Sequence, residues 1–324
     1  MPTRRHVLTL AAAGVAAPAI LRAQSDGVPA ADRAAELDQL HALIVRRDGE
    51  EVLAERYGGR GLDAVANVKS VSKTLLALLT GVAIDRGVLE GVNQPVVPLL
   101  ERGAFGDARD DITVGDLLSM RAGLESVSGG SYGEWVSSGD WVGFALERDL
   151  VADPGGRFIY STGGWHLLGV ALSNAADRSL LSLARDWLGA PLGVDFAPWV
   201  ADPQGNYLGG NDMGISPRGL SRIGQMVLDG GRWNDTQVVA ESWIARSWEP
   251  NARSPFSGDS YGYGWFLTQL SGTPVRYGRG YGGQVLAVAP EAATVIAITS
   301  DPTQPARSGG YFGDLKGLME TVLA

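Results

Sequence analysis

Ser70 and Lys73 stand three positions apart in the run Lys69-Ser70-Val71-Ser72-Lys73, at the head of an apolar stretch. On a helix, residues i and i+3 share a face, so the hydroxyl and the amine can meet. A serine hydroxyl is a weak nucleophile until a neighbouring base takes its proton. Lysine can be that base once burial or a nearby positive charge lowers its pKa. A serine at the start of a helix also offers its backbone N–H to an oxyanion. The chemistry open to this pair is acyl transfer through a serine ester.

Most Ser-x-x-Lys pairs are solvated helix surface, and two features weaken that reading here. The segment Thr74–Asp85 carries apolar residues at Leu75, Leu76, Leu78, Leu79, Val82 and Ile84, dense enough to predict a buried helix, which Gly87 ends. Lysine is also scarce: Lys69, Lys73 and Lys316 are the only lysines among 27 Lys and Arg residues. Where arginine is the default surface charge, a lysine beside a serine points to a group that must lose its proton, which arginine cannot do.

Three other patterns fail their context. Gly129-Gly130-Ser131-Tyr132-Gly133 satisfies G-x-S-x-G, but that nucleophile elbow needs a buried strand before the serine and a downstream histidine. Leu124 to Ser128 does not read as a strand, and only His166 follows it. Gly278-Arg279-Gly280-Tyr281-Gly282-Gly283 satisfies G-x-G-x-x-G, yet a strand rather than a helix follows, which excludes a dinucleotide site. His166, beside Trp165 among apolar neighbours, reads as a packed helix residue.

The elements that must position Ser70 and Lys73 are legible in outline. Ala42–Arg46 and Val52–Tyr57 flank Asp48-Gly49 and predict a β-hairpin. The middle of the chain is helical in pattern, clearest at Asp116–Leu118 and Trp165–Ala175. Towards the C-terminus, Tyr263–Leu270, Gln284–Ala289 and Thr294–Thr299 read as strands and Asp314–Leu323 as an amphipathic helix. Strands at both ends predict an α/β, more strictly α+β, fold: one antiparallel sheet from residues 24–90 and 222–324, with a helical region of residues 91–221 inserted. A cleft between the two layers is the natural place for substrate.

The formal charge of −9 argues against a nucleic-acid binder and gives no reason to expect an anionic membrane surface as partner. Cysteine is absent, which removes disulfides, a thiol nucleophile and cysteine metal sites. The three histidines, His6, His41 and His166, are too few for a histidine-built metal site, and neither metal nor organic cofactor is implied. Residues 1–23 read as a leader: Arg4-Arg5, a mild apolar stretch from Val7 to Leu21, then Ala23, as in a twin-arginine export signal. That stretch is shorter than the ~20 residues a spanning helix needs. A periplasmic or secreted protein, without a stable membrane anchor once processed, is the expectation.

Ser70-x-x-Lys73 resembles the serine β-lactamase and penicillin-binding protein superfamily. Val68–Leu89 is similar to the branch holding class C β-lactamases, D-amino-acid peptidases and related esterases. Further similarities follow in order: Thr113–Leu124, Phe158–Thr162 with Leu167-Leu168-Gly169, Met213–Trp243, and Gly280–Gln284. The resemblance spans about residues 40–300 and implies the β-lactamase-like antiparallel sheet flanked by helices. It implies that Tyr160 partners Lys73, relaying the serine's proton and then protonating the leaving group. It also implies an oxyanion hole from the backbone N–H groups of Ser70 and Tyr281. From the residues alone, Tyr160 could equally be a tyrosine with a satisfied hydroxyl.

Two departures bear on substrate. Where that branch often has Tyr-x-Asn, this chain has Thr162. Where β-lactamases carry Lys-Thr-Gly and many esterases His-x-Gly, this chain has Gly278-Arg279-Gly280. Thr162, Arg279 and Gly280 are therefore the substrate-binding candidates, Arg279 being either a shifted carboxylate partner or a solvated strand arginine. The loops Ser126–Trp141 and Asn251–Ser260 should set the size of the cleft. The resulting expectation is a serine hydrolase of the esterase or amidohydrolase type, acting on a small-molecule ester or amide, with oligomeric state open. A non-catalytic ligand binder of the same fold, a true β-lactamase or D-amino-acid peptidase, and an acyltransferase are the alternatives.

Overall fold

A computed structural model describes residues 29–324. The leader expected in residues 1–23 lies outside the described residues. The frame is an eight-stranded, wholly antiparallel sheet. Its strands are β1 (Leu40–Arg47), β2 (Glu50–Arg56), β3 (Ala252–Arg253), β4 (Ser260–Tyr261), β5 (Phe266–Leu270), β6 (Thr273–Gly280), β7 (Gln284–Ala289) and β8 (Thr294–Ser300). The spatial order is β2-β1-β8-β7-β6-β5-β4-β3.

The hairpin β1–β2 forms where the Asp-Gly signal lies. Asp48 and Gly49 both take positive φ (50° and 83°), the conformation that suits a tight hairpin between right-twisted strands. Strand β1 then pairs with β8, Leu43 opposite Ile298, which joins the N-terminal hairpin to the C-terminal strands. Every residue of β7 and β8 is buried, as expected of central strands covered on both faces.

Alternation along the strands assigns the covering helices. Gly224 of α4 (Pro217–Leu228) lies against Leu286 and Val295, and Gly278, opposite Leu286, lies against Thr74 of α1 (Ser72–Asp85). Helices α1 and α4 thus share one face of the sheet. Tyr277 sits opposite Ala287 and so points the other way, where its ring meets Phe312 of α5 (Tyr311–Leu323). Helix α1 is buried from Ser72 to Ala83, because it packs between β6 and α3 (Thr162–Ala176). That position explains why its sequence is apolar all round.

Two strand readings need correction. The strand expected over Tyr263–Leu270 begins only at Phe266, because Gly264 at φ +78° turns the chain after the short β4. Strand β6 is not announced by hydropathy, since Pro274, Arg276, Gly278, Arg279 and Gly280 break the alternating pattern. It forms because β5 and β7 pair with both its edges. Between β2 and β3 the chain also carries α2 (Val114–Leu118) and a small sheet of Ala66–Asn67, Gly214–Ile215 and Phe196–Ala197. Among the described residues no helix is long and apolar enough to cross a membrane.

Candidate active site

Ser70 sits in a single 3₁₀ turn, Lys69–Val71, that runs directly into α1. The turn starts with Lys69 at φ +48°, a left-handed conformation that costs a non-glycine residue about 1–3 kcal/mol unless neighbours hold it. They do. The Lys69 N–H donates to Asn67 Oδ1 at 2.9 Å, its ammonium to Asp212 Oδ1 at 2.9 Å, and Ser72 Oγ donates to the Lys69 carbonyl at 2.5 Å.

One turn later, Lys73 Nζ lies 3.0 Å from Ser70 Oγ. The lysine is 2% exposed. Its other partners are Gly210 O at 2.6 Å and Thr162 Oγ1 at 3.3 Å. Burial disfavours the ammonium and lowers its pKa, with Tyr160 and Asp212 opposing. Once deprotonated, the amine can still donate to Gly210 O and Thr162 Oγ1 while its lone pair meets the serine proton. This is the geometry of a general base.

Tyr160 lies against the same amine, with Nζ 5.0 Å from the ring centroid. Burial pushes the phenol pKa up. The Lys73 charge and hydrogen bonding to Ser70 and Lys73 outweigh it, and the net direction is down. Thr162 is the first residue of α3, whose cap is Ser161: its Oγ accepts from Gly164 N at 3.2 Å and from Val127 N at 3.1 Å. The Thr162 hydroxyl is thereby left for Lys73 and for Ser128 Oγ, 3.0 Å away.

Strand β6 closes the other side. Gly278 and Gly280 face α1, and a Cβ on Gly280 would stand 2.6 Å from Val68 O and 3.0 Å from Ser70 N. Tyr281 follows at the mouth, 53% exposed, before Gly282 and Gly283 turn the chain at φ +82° and +93°. Arg279 falls on the opposite face by alternation. Its guanidinium stacks 3.6 Å from the Phe312 ring centroid and donates to Ser308 Oγ and Ala306 O, each at 3.0 Å. It is a clamped arginine at the cavity lining rather than a solvated one.

Gly210–Asp212 was not picked out from the sequence, and Met213 only as the start of the stretch to Trp243, yet all four residues touch the stretch Val68–Lys73. Gly210 O accepts from Lys73, Asn211 Oδ1 from Ser70 Oγ at 3.3 Å, and Asp212 Oδ1 from Lys69 and from Asn67 Nδ2. The Met213 N–H donates to Ser72 Oγ at 3.0 Å, and its carbonyl accepts from Val68 N at 3.1 Å. Asn211 Nδ2 also donates to Tyr132 OH at 3.3 Å. In sequence the only signal was a polar pair set among glycines, which reads as a turn.

These residues line one cavity of about 770 Å³, ample for a small organic substrate. Ser70, Tyr160, Thr162, Arg279, Gly280 and Tyr281 all border it, with Lys73 beneath Ser70. Ser126, Ser128, Tyr132, Asn211 and the Lys69–Asp212 pair contribute polar groups to its lining. Phe256, Phe266, Pro302 and Ala306 add apolar groups to the lining. Both loops expected to shape the cleft do so, through Ser126–Tyr132 and Ser254–Ser257.

The rejected patterns are structural. Ser131 lies in a 3₁₀ turn and donates to Ser126 O at 2.9 Å. His166 is fully buried between the Trp135 and Trp141 rings, with Nε2 3.2 Å from Asp202 Oδ2. The glycine-rich run joins two antiparallel strands. Among the described residues no group of three or more His, Asp or Glu residues could hold a metal ion.

A family model described as Beta-lactamase matches residues 38–312. The chain is 27% identical over 296 residues to a 6-aminohexanoate-dimer hydrolase from Paenarthrobacter ureafaciens, covering 82% of this chain and 73% of that protein. Among solved structures it resembles EstCE1, a hydrolase with promiscuous acyltransferase activity. That match has a TM-score of 0.75 and 17% identity, with 94% of this chain and 98% of the other covered. A family VIII carboxylesterase matches with a TM-score of 0.73 and 18% identity, covering 96% and 98% respectively.

Proposed function

The chain belongs to the Beta-lactamase family, and from that premise we propose that it is a serine hydrolase that cleaves an ester or amide through an acyl-enzyme on Ser70. The observation that carries this reading is the buried Lys73 amine 3.0 Å from Ser70 Oγ, its other contacts made to Gly210 O and Thr162 Oγ1.

Ser70 Oγ attacks the substrate carbonyl while Lys73 takes its proton. The oxyanion is met by the backbone N–H groups of Ser70 and Tyr281, which β6 brings together through the close approach of Gly280. Tyr160, its phenol pKa drawn down beside Lys73, exchanges protons with the lysine and serves the leaving group. Water then releases the acyl group. No step asks for a metal or organic cofactor.

The mixed polar and apolar lining of the cavity suits an acyl group and a leaving group of different character. Arg279, the nearest cation on β6, is held by Ser308, Ala306 and Phe312, which disfavours a β-lactam-type carboxylate partner and favours esters or other amides. A 6-aminohexanoate dimer, the compound named for the relative from Paenarthrobacter ureafaciens, is one amide to offer. The Arg4-Arg5 leader supports a periplasmic or secreted location.

The test compares wild type with Ser70→Ala on a short-chain p-nitrophenyl ester and on that dimer, beside labelling by a fluorophosphonate probe. Turnover and labelling that both vanish in the variant support the reading. Equal turnover in the two proteins means Ser70 is not the nucleophile. A wild type that neither labels nor turns over either compound would mark a ligand binder.

A further inference from the structure

We propose that Thr162 and Ser128 form a second proton path between Lys73 and the cavity, separate from Tyr160, and that this path serves the leaving group. The proposal rests on the acyl-transfer reading above and concerns how its proton is delivered.

The argument begins with the isolation of Lys73. The amine is buried, so any proton it takes from Ser70 must leave through a hydrogen-bonded neighbour. Gly210 O accepts but has no proton to pass on, and Ser70 Oγ is consumed once it is acylated. Besides Tyr160, that leaves Thr162 Oγ1, 3.3 Å from Nζ.

The Thr162 hydroxyl has no other task. Ser161 already caps α3, and Thr162 itself is only 4% exposed. Its next neighbour is Ser128 Oγ at 3.0 Å. Ser128 is fixed in turn, since it accepts the Thr162 backbone N–H at 2.8 Å. Unlike Thr162 it is only half-buried, and it borders the cavity beside Ser70. The contacts run from a buried amine through one hydroxyl to a second that faces substrate.

A hydroxyl can receive one proton while releasing another. In the proposed step the ammonium of Lys73 gives a proton to Thr162 Oγ1. The Ser128 hydroxyl, which donates to Thr162 Oγ1 in the resting site, turns toward the cavity; Thr162 then passes its own proton to Ser128 Oγ, and Ser128 passes its own to the departing oxygen or nitrogen as the bond to the acyl carbon breaks. The lysine ends neutral, both hydroxyls end unchanged, and the leaving group departs as an alcohol or amine. An asparagine in place of Thr162 could hold Lys73, but its carboxamide would not carry a proton onward this way.

The test is a leaving-group series: p-nitrophenyl, phenyl, trifluoroethyl and ethyl acetates, with kcat/KM measured for wild type, Thr162→Ser, Thr162→Val, Thr162→Asn and Ser128→Ala. p-Nitrophenolate departs without a proton, whereas ethoxide needs one. The path predicts that Ser128→Ala and Thr162→Val each lose at least about tenfold more on the ethyl ester than on the p-nitrophenyl ester, Thr162→Val adding a loss common to the whole series because Lys73 loses a partner. Thr162→Ser should keep the wild-type dependence on leaving group, and Thr162→Asn should behave like Thr162→Val. An equal loss across the whole series means the two residues only position Lys73, and the proposal fails. Ser128 does not touch Lys73, so its variant separates relay from positioning even if Thr162→Val disturbs the amine. A wild type inactive on all four esters and unlabelled by the fluorophosphonate probe overturns the hydrolase reading and the relay with it. Labelling without ester turnover leaves the serine mechanism standing but overturns the relay to ester leaving groups.

Discussion

Gly280 and Ser70 meet backbone to backbone, with space between them for a hydrogen but not for a methyl group. A Cβ on Gly280 would lie 2.6 Å from Val68 O and 3.0 Å from Ser70 N, and neither atom belongs to a side chain that could rotate away. The end of β6 and the nucleophile turn are therefore held in register by a missing side chain. The same strand meets α1 at Gly278, where a Cβ would lie 2.3 Å from Thr74 Oγ1, a hydroxyl already committed to Gly264 O at 2.7 Å.

From this contact Gly280→Ala should be costly in two ways. Overpacking of this kind destabilises by about 1–3 kcal/mol, which urea unfolding would read. The strand must also move away from Ser70, so kcat should fall by at least about tenfold through loss of oxyanion contact. Unchanged turnover by a folded variant would show that the oxyanion is held elsewhere.

The pH profile follows from Lys73. The base must be neutral to act, and burial has lowered its pKa below the ordinary lysine range. Activity should thus be lost as pH falls through that lowered value and regained as pH rises. Tyr160 must keep its proton to act as an acid, so the profile should turn over on the alkaline side as the phenol ionises. Measuring kcat/KM from about pH 6 to 10 checks both limbs. Tyr160→Phe should remove the alkaline limb and leave the acid one. Lys73→Arg should lose about 10²–10⁴-fold, since a guanidinium does not deprotonate. A flat profile would exclude Lys73 as the base.

The clasp between Lys69 and Asp212 yields a finer prediction. Asp212 sits at φ +67° and accepts from both Lys69 Nζ and Asn67 Nδ2, at 2.9 and 2.7 Å. Its neighbours Gly210 and Asn211 touch Lys73 and Ser70. Asp212→Ala removes both contacts and places alanine in a left-handed conformation, so kcat should fall about tenfold, equivalent to ~1.4 kcal/mol of barrier. Asn tolerates that conformation and keeps an acceptor for Asn67 and Lys69, so Asp212→Asn should stay within about threefold. If both variants lose activity equally, charge rather than the clasp is what matters.

These contacts also show which parts of the site the sequence could reveal. Ser70 and Lys73 are legible because a helix converts spacing into proximity, and the hairpin at Asp48-Gly49 because turn chemistry is local. Tyr160 stood out only through an ordered resemblance, since nothing in its own neighbours says that it meets Lys73. The Gly210–Asp212 segment stayed hidden because it reaches Ser70 from some 140 positions away, through irregular backbone with no period to read. Strand β6 was obscured for a related reason. The glycines that break its alternation are there so that α1 and the nucleophile turn can come close.

A last prediction concerns the loop that carries Phe256 to the cavity lining. It is tied down by Asp259, whose Oδ2 accepts from the buried Tyr277 hydroxyl at 2.5 Å and from Lys316 Nζ at 3.1 Å. Burial would raise the Asp259 pKa, but hydrogen bonds from Tyr277, Thr268 and Lys316, with the Lys316 charge, bring it below the ordinary value. A depressed carboxylate contributes stability at pH values above its unfolded pKa, and that contribution disappears as pH falls through the folded value. Tyr277→Phe removes one of the bonds that hold the pKa down. At neutral pH it should cost about 1.5–3 kcal/mol, the usual worth of a hydrogen bond to a charged group. At pH values low enough to protonate Asp259 in both proteins the difference should shrink. Urea unfolding of the two proteins at neutral and acid pH measures it directly. Because the loop carries Phe256 at the cavity lining, 72% exposed, a loosened anchor should raise KM for long-chain esters more than for acetates. A stability difference that stays constant with pH would mean that Tyr277 packs against Asp259 without holding its charge.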